Sequence, residues 1–84
     1  MSGDAVGDAL QRFLELTGRM CLSPAEYGMA VEEHWEDMPP EVLQQLLAAS
    51  VEKIKPEKRR SARIGWILPD MREGYESWRR AIGR

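Results

Sequence analysis

The chain has 84 residues, of which 43% are hydrophobic and 31% charged, and its formal net charge at pH 7 is −2. This length predicts one domain over residues 1–84, and the hydrophobic content, which is ordinary for a folded protein, argues against an intrinsically disordered chain. Its one cysteine excludes an internal disulfide framework. The sequence shows no signal-peptide pattern and no apolar run of membrane-spanning length, so a cytoplasmic location is predicted.

Acidic and basic residues are distributed unevenly between the two halves of the chain. Residues 1–42 hold nine acids against two bases, whereas residues 43–84 hold ten bases against five acids. The small net charge therefore conceals a separation of charge. Such a separation indicates a charged partner, or pairing of the two halves within the chain or across a homodimer.

The first predicted helix begins near Asp4, a candidate N-cap residue, and ends at Gly18, a residue typical of helix C-termini. Its apolar residues recur at i, i+4, i+7, i+8 and i+11, a spacing that places them on one helix face. They are Val6, Leu10, Phe13, Leu14 and Thr17. The pattern therefore predicts an amphipathic helix.

The second predicted helix has the clearest local signature in the chain. Ser23 and Glu26 are spaced as a capping box, in which each side chain binds the backbone N–H of the other residue. Pro24 occupies the first helical position, and Leu22 and Tyr27 have the spacing of a hydrophobic staple. We expect an inner face of Tyr27, Ala30, Val31 and Trp35, with His34 as a further candidate. We expect an outer face of Glu26, Glu32, Glu33 and Glu36.

Prolines divide the rest of the chain into helical blocks. Pro40 begins a third helix that extends to about Ile54 and is apolar over more than half of its circumference, which predicts a position at the centre of a bundle. Pro56 begins a fourth block, and Pro69 is expected to kink or break it, so residues 56–82 form one kinked helix or two helices. The predicted fold is all-α, a compact bundle of four to five short helices, with a dimer as an open alternative.

Residue types that carry chemistry are sparse. His34 lies in the acidic stretch 32–37, and its pKa is expected to be raised because nearby carboxylates favour the imidazolium. No second histidine or cysteine lies at metal-ligand spacing. Cys21 has apolar neighbours and is interpreted as a structural or incidental thiol, not a reactive one. Because there is also no Gly-rich phosphate loop, we expect no enzyme, no metal and no cofactor.

The basic segment of the chain precedes Trp66 and consists of Lys53, Lys55, Lys58, Arg59, Arg60 and Arg63. These charges could follow a phosphate backbone, but the acidic first half would repel the same polyanion, and no helix-turn-helix is present. The segment could also stay solvated, pair with the acidic region 26–41 within the chain or across a dimer, or bind another protein. A protein partner is preferred to nucleic acid or an anionic membrane.

The last predicted helix carries Met71, Tyr75, Trp78 and Ile82 on one face. This stripe belongs either to the core or, if the helix extends beyond the bundle, to a docking surface. Tyrosine, tryptophan and arginine are the residue types enriched in binding hot spots.

We therefore predict a small non-enzymatic protein-binding regulator, adaptor or inhibitor with an acidic face on the second helix and a basic-aromatic face on the last two. The charges would orient the partner, and the aromatic anchors would supply most of the affinity. The predicted partner-binding residues are Glu32, Glu33, Glu36, Asp37, Arg59, Arg60, Arg63, Trp78 and Arg79. The alternatives are a nucleic-acid-associated regulator that uses residues 53–63 and a structural subunit that only self-assembles. Salt separates these classes, because phosphate binding weakens steeply as salt rises.

Overall fold

The computed structural model describes residues 5–33 and 35–83, which form a helical protein with principal extents of 40 × 28 × 19 Å. The four α-helices are α1 (Ala5–Thr17), α2 (Pro24–Glu32), α3 (Pro40–Glu52) and α4 (Ile64–Ile82). Two 3₁₀ helices, Trp35–Asp37 and Pro56–Ser61, lie in the connections before α3 and α4. These residues contain no strand, so the all-α prediction is confirmed. None of the helices in these two ranges is both long and apolar enough to cross a membrane.

Helix α3 is the central helix of the bundle, as its sequence predicts, because it packs against both α1 and α4. Its buried apolar residues are Leu43, Leu47 and Val51. Helix α1 contributes Ala9, Leu10 and Phe13 to the same core, and α4 contributes Ile64, Ile67, Leu68 and Met71. A Cβ atom placed on Gly74 of α4 would lie 2.6 Å from Leu46 Cδ2 of α3. Glycine at this position therefore allows the two helices to approach closely.

Helix α1 ends where the sequence predicts. Gly18 has a φ of +77°, a conformation that costs L-residues about 1–2 kcal/mol, and its N–H donates to the carbonyl of Leu14 at 2.8 Å. The face of α1 is also confirmed, since Leu10, Phe13 and Thr17 are buried. Asp4, the candidate N-cap residue, lies outside the described residues.

The predicted inner face of α2 is partly wrong. Tyr27 and Val31 are 50% and 51% exposed, whereas Glu26, which was expected to face solvent, is only 3% exposed. The Glu26 carboxylate faces inward because it forms polar contacts with Arg19 and with the start of α4. Ala30 and Trp35 are buried as predicted, although α2 ends at Glu32 and Trp35 belongs to the following 3₁₀ helix.

The break in residues 56–82 lies at Ala62–Arg63 rather than at Pro69. The 3₁₀ helix Pro56–Ser61 ends there, and α4 then continues without interruption from Ile64 to Ile82 through Pro69. Of the two outcomes expected at Pro69, a kink or a break, the break is therefore wrong. Pro69 lies on the exposed side of α4, and its neighbours Ile67, Leu68 and Met71 are buried in the core, so packing maintains the helix on both sides of it.

Candidate functional site

The Arg19–Glu26 ion pair determines how α2 sits on the protein. Arg19 Nη1 lies 2.6 Å from Glu26 Oε2, and Arg19 Nη2 lies 2.9 Å from Oε1, which makes the contact bidentate. Both side chains are largely buried. Arg19 also donates to the carbonyl oxygens of Ala62 at 2.8 Å and of Cys21 at 3.0 Å. One guanidinium therefore joins the α1–α2 loop, α2 and the chain just before α4.

The Glu26 carboxylate also caps two helices. The capping box is confirmed, because the Ser23 N–H donates to Glu26 Oε1 at 3.0 Å and the Glu26 N–H donates to Ser23 Oγ at 3.2 Å. In addition, the N–H of Ile64, the first residue of α4, donates to Glu26 Oε2 at 3.0 Å. Helix N-termini leave such N–H groups without intrahelical partners. A single buried carboxylate therefore accepts one backbone hydrogen bond at the N-terminus of α2 and one at the N-terminus of α4.

These contacts predict acid sensitivity. Hydrogen bonds from Arg19 lower the pKa of Glu26 to about 2, and the Ser23 and Ile64 amides add to an effect that outweighs burial, which acts in the opposite direction. An unfolded glutamate titrates near pH 4.3, so this stabilisation is complete above about pH 5 and is lost as the pH falls towards 2. The loss should be on the order of 3 kcal/mol, as measured by urea unfolding at about pH 6, 4 and 2.5. Glu26→Gln, which cannot ionise, should show a smaller slope over this range; an equal slope in both proteins would contradict the assignment.

Four residues of the predicted partner-binding set lie beside the second half of α4, where they are joined by Arg72 and Tyr75, which were not in that set. We call the group the α4 cluster: Glu33, Asp37, Arg72, Tyr75, Trp78 and Arg79. Arg72 donates to Glu33 Oε2 at 2.9 Å, a contact that raises the pKa of Arg72. The Tyr75 hydroxyl donates to Asp37 Oδ2 at 2.9 Å and accepts from Arg79 Nη1 at 3.1 Å, which raises the pKa of Arg79. The acidic and aromatic-basic residues predicted as separate faces thus contact one another here.

The second half of α4 lies at the edge of the bundle. No described residue of α4 after Met71 is buried, and Ile82 is 62% exposed. Tyr75 and Trp78 are partly buried against the core, and their ring centroids lie 6.0 Å apart. An open cleft of about 290 Å³ is lined by Asp37, Tyr75, Trp78, Arg79, Ile82 and Gly83. The apolar stripe of Met71, Tyr75, Trp78 and Ile82 therefore lies in the core at Met71 and on the surface at Ile82.

The remaining predicted basic residues lie at the other end of α4. Arg59 is held by the chain itself, since its Nε donates to the carbonyl of Ile54 at 3.0 Å. Arg60 and Arg63 are exposed, and no carboxylate of the described residues lies within 4 Å of either. Sixteen helical positions separate Arg63 from Arg79, about 24 Å along the helix axis. The predicted basic-aromatic face is therefore divided between two surfaces.

The basic segment does not pair with the acidic region 26–41 in the described part of the chain. Its one ion pair there joins Lys53 Nζ to Asp70 Oδ1 at 3.4 Å. Glu26 and Glu33 are instead paired with Arg19 and Arg72, which the sequence analysis did not assign to this role. The two halves of the chain therefore do pair through Arg72 and Glu33, but the described residues of the basic segment do not form the expected pairing with the acidic region.

Sequence reasoning missed the exposed face of α2, which we call the α2 surface and define as Tyr27, Gly28, Met29 and Val31. Met29 is 39% exposed, and a Cβ atom on Gly65 at the start of α4 would lie 3.4 Å from Met29 Cε. All exposed residues from Pro24 to Val31 are uncharged. A signal was present in the sequence, because α2 is apolar on nearly all sides, and a helix of that kind is normally covered.

The remaining candidate sites are less informative. The residues described by the structure contain no group of three or more histidine, cysteine or acidic side chains that could hold a metal ion. Cys21 is exposed. His34 lies outside the described residues, so the rise expected in its pKa stays a prediction. A cleft of about 460 Å³ between α3 and α4 is lined mainly by polar and small residues, unlike the apolar pockets typical of small-molecule sites.

Comparison of the chain with protein-family models, with curated proteins and with solved structures finds no match. Function is therefore inferred here from the chemistry and geometry of the surfaces alone.

Proposed function

We propose that this protein is a small non-enzymatic protein-binding module of the adaptor, regulator or inhibitor kind, and that the α2 surface is its main contact. The observation that carries the proposal is the exposure of Tyr27, Met29 and Val31 on one nine-residue helix. Scattered exposed hydrophobic residues are normal, but a group of them is typical of interaction sites. Tyrosine is one of the residue types that anchor partners at such sites.

The energetics of a small domain support this proposal. A chain of 84 residues has little apolar area to bury and gains stability from each apolar side chain that it covers. Here the fold covers the Glu26 carboxylate and leaves Tyr27 and Val31 half exposed. A partner that covered these two side chains would recover the apolar stabilisation that the isolated chain lacks.

Charged residues make the two ends of the α2 surface different, because one end is acidic and the other is basic. Glu32 and Glu36 are exposed at its C-terminal end. Arg63 lies beside its N-terminal end, because its neighbours Ala62 and Ile64 contact Arg19 and Glu26. Such charges orient a partner and accelerate its approach more than they add affinity. Glu32, Glu36 and Arg63 of the predicted set therefore retain the orienting role expected of them.

Two matched substitutions test which surface binds. Val31→Glu introduces a charge on the α2 surface, and Ile82→Glu does so at a residue of similar exposure in the stripe of α4. With affinity-tagged protein co-expressed with an untagged copy in host cells, cross-linked before lysis and treated with nuclease, wild type should retain a specific protein partner. We expect Val31→Glu to retain at least about tenfold less, because a charge buried without a partner is costly, and Ile82→Glu to behave as wild type. Circular dichroism checks that both variants are folded.

Full retention by Val31→Glu would overturn the assignment to α2. If Ile82→Glu alone loses the partner, the binding surface is the stripe of α4, including Trp78. The partner recovered in this experiment is identified by mass spectrometry, which distinguishes the untagged copy from another protein.

Nucleic acid is the second candidate partner. It is favoured by Lys58, Arg60 and Arg63, which are exposed and have no carboxylate within 4 Å among the described residues. The exposed ring of Trp66 lies nearby in the chain and could stack on a base. Recovery that collapses with nuclease, and affinity that falls log-linearly with salt, would support this candidate instead.

A further inference from the structure

We infer that the occupant of the α2 surface is a second copy of this chain: two α2 helices pack antiparallel about a two-fold axis near Gly28, and the acidic end of each faces the basic end of the other. This inference rests on the proposed function, because it uses the α2 surface and names its partner. It is carried by the order of charges along α2, by Gly28 and by the exposed apolar side chains.

The basic end of α2 is held in place by buried contacts. Arg19 Nη1 binds the carbonyl oxygen of Ala62 at 2.8 Å, and Glu26 Oε2 binds the N–H of Ile64 at 3.0 Å. Residues 62–64 are therefore fixed beside the first turn of α2. Arg63 is exposed between these two contacts. Arg60, in the preceding 3₁₀ helix, is also exposed, and its side chain lies against Gly18, the residue before Arg19.

The acidic end of α2 lies about 13 Å away, since the helix has nine residues. Glu32 is its last residue, and Glu36 follows in the next 3₁₀ helix; both are exposed. Neither has a cationic nitrogen within 4 Å in the described part of the chain. The α2 surface is thus bounded by unpaired acids at one end and unpaired bases at the other.

This order of charges is complementary to itself in one orientation. In a two-fold dimer the same patch from each copy meets, so an antiparallel pair of helices brings each acidic end to a basic end, twice. A parallel arrangement would place acids against acids and bases against bases, which is unfavourable. The dimer also explains why a chain with strongly opposed halves leaves these particular charges unpaired within one copy.

Gly28 provides room for the second helix. A Cβ atom on Gly28 would meet nothing within 4 Å, and Gly18 is the one described glycine with a positive φ, so neither packing nor backbone conformation within one copy requires glycine at position 28. Glycine inside a helix costs about 1 kcal/mol relative to alanine. At the middle of the exposed face it allows the backbone of a partner helix to approach closely.

The size of the surface predicts a weak dimer. The exposed parts of Tyr27, Met29 and Val31 amount to a few hundred Å² in each copy, by comparison with about 150–250 Å² for one whole aromatic side chain. Stable interfaces bury about 1,200–2,000 Å² in total, so the apolar part of this one falls below that range, where association is weak and transient. We therefore expect a dissociation constant in the micromolar range that rises with salt as the charged ends are screened.

Sedimentation equilibrium of the full chain tests the inference with a charge exchange. Glu32→Lys/Glu36→Lys reverses the acidic end, and Arg60→Glu/Arg63→Glu reverses the basic end. Each variant alone should dimerise at least about tenfold more weakly than wild type, because like charges then meet at both ends of the interface. An equimolar mixture of the two variants should recover dimer, since opposite charges meet again at both ends. Wild type should weaken by at least about threefold between about 50 and 500 mM NaCl.

The outcomes separate the inference from the proposed function. Wild type that remains monomeric to about 1 mM, a dimer that neither variant weakens, or a mixture that does not recover although both variants are folded by circular dichroism would each overturn the antiparallel dimer. If Val31→Glu still loses another protein in the capture experiment, the α2 surface binds that protein and the proposed function holds. If wild type dimerises and Val31→Glu does not weaken the dimer, the inference fails, and the assignment of partner binding to α2 fails as well if Val31→Glu also retains its partner in the capture experiment.

Discussion

Glu26→Ala is expected to lower the free energy of unfolding by about 3–5 kcal/mol, the usual cost of removing one member of a buried ion pair. The substitution leaves the Arg19 guanidinium largely buried without its carboxylate and leaves the Ile64 N–H at the start of α4 without an acceptor. It also removes half of the capping box of α2. For a domain of this size such a loss is a large share of total stability, so urea unfolding at neutral pH should show it clearly.

Glu15→Ala is the matched control. Glu15 pairs with Arg12 at 3.3 Å, but both side chains are about half exposed, and surface pairs of this kind contribute about 0–1 kcal/mol. If both variants lose the same free energy of unfolding, the Arg19–Glu26 pair does not stabilise the fold as a buried ion pair.

Trp35→Ala is expected to cost about 3–5 kcal/mol, because it removes the largest fully buried side chain among the described residues and leaves a cavity. The three tryptophans form an internal series. Trp66 is about half exposed, so Trp66→Ala should cost less than about 1 kcal/mol, and partly buried Trp78 should fall between them. Thermal and urea unfolding of the three variants measure this order. An equal loss at Trp35 and Trp66 would contradict the placement of Trp35 in the core.

The Arg19–Glu26 pair connects stability to the proposed binding surface. Turning Glu26 inward on a short helix also turns Ala30 and Glu33 inward, because these residues follow at i+4 and i+7. The same rotation turns Gly28 and Val31 outward. The α2 surface is therefore a consequence of the buried ion pair, and loss of the pair is expected to disturb binding as well as folding.

The same contacts position the charges that surround the α2 surface. Arg63 lies between Ala62 and Ile64, the two residues that contact Arg19 and Glu26. At the other end of α2, Glu33 is engaged by Arg72, whereas Glu32 remains exposed. Residues that were predicted as one acidic face therefore divide into a structural group and a group available to a partner.

The sequence alone predicted the features that depend on neighbouring residues. The capping box at Ser23, the proline starts of α2 and α3 and the glycine end of α1 involve groups a few residues apart, so their energetics are decided locally. The central position of α3 followed from the width of its apolar face. These features gave the helical fold class and most of the helix bounds.

Only the tertiary structure decided which face of α2 is buried and which charges remain unpaired. Periodicity counts apolar residues, and it therefore placed Tyr27 and Val31 inside and Glu26 outside. In the folded chain the Glu26 carboxylate receives hydrogen bonds from the Arg19 side chain and the Ser23 and Ile64 amides, the last from 38 residues away. A bidentate charged contact with its remaining acceptor positions filled offsets the cost of burial, and it outweighs the partial exposure of two apolar side chains. Glu26 and the Ile64 amide meet only when α4 packs against α2. No pattern within the second helix could therefore reveal that Glu26 is buried.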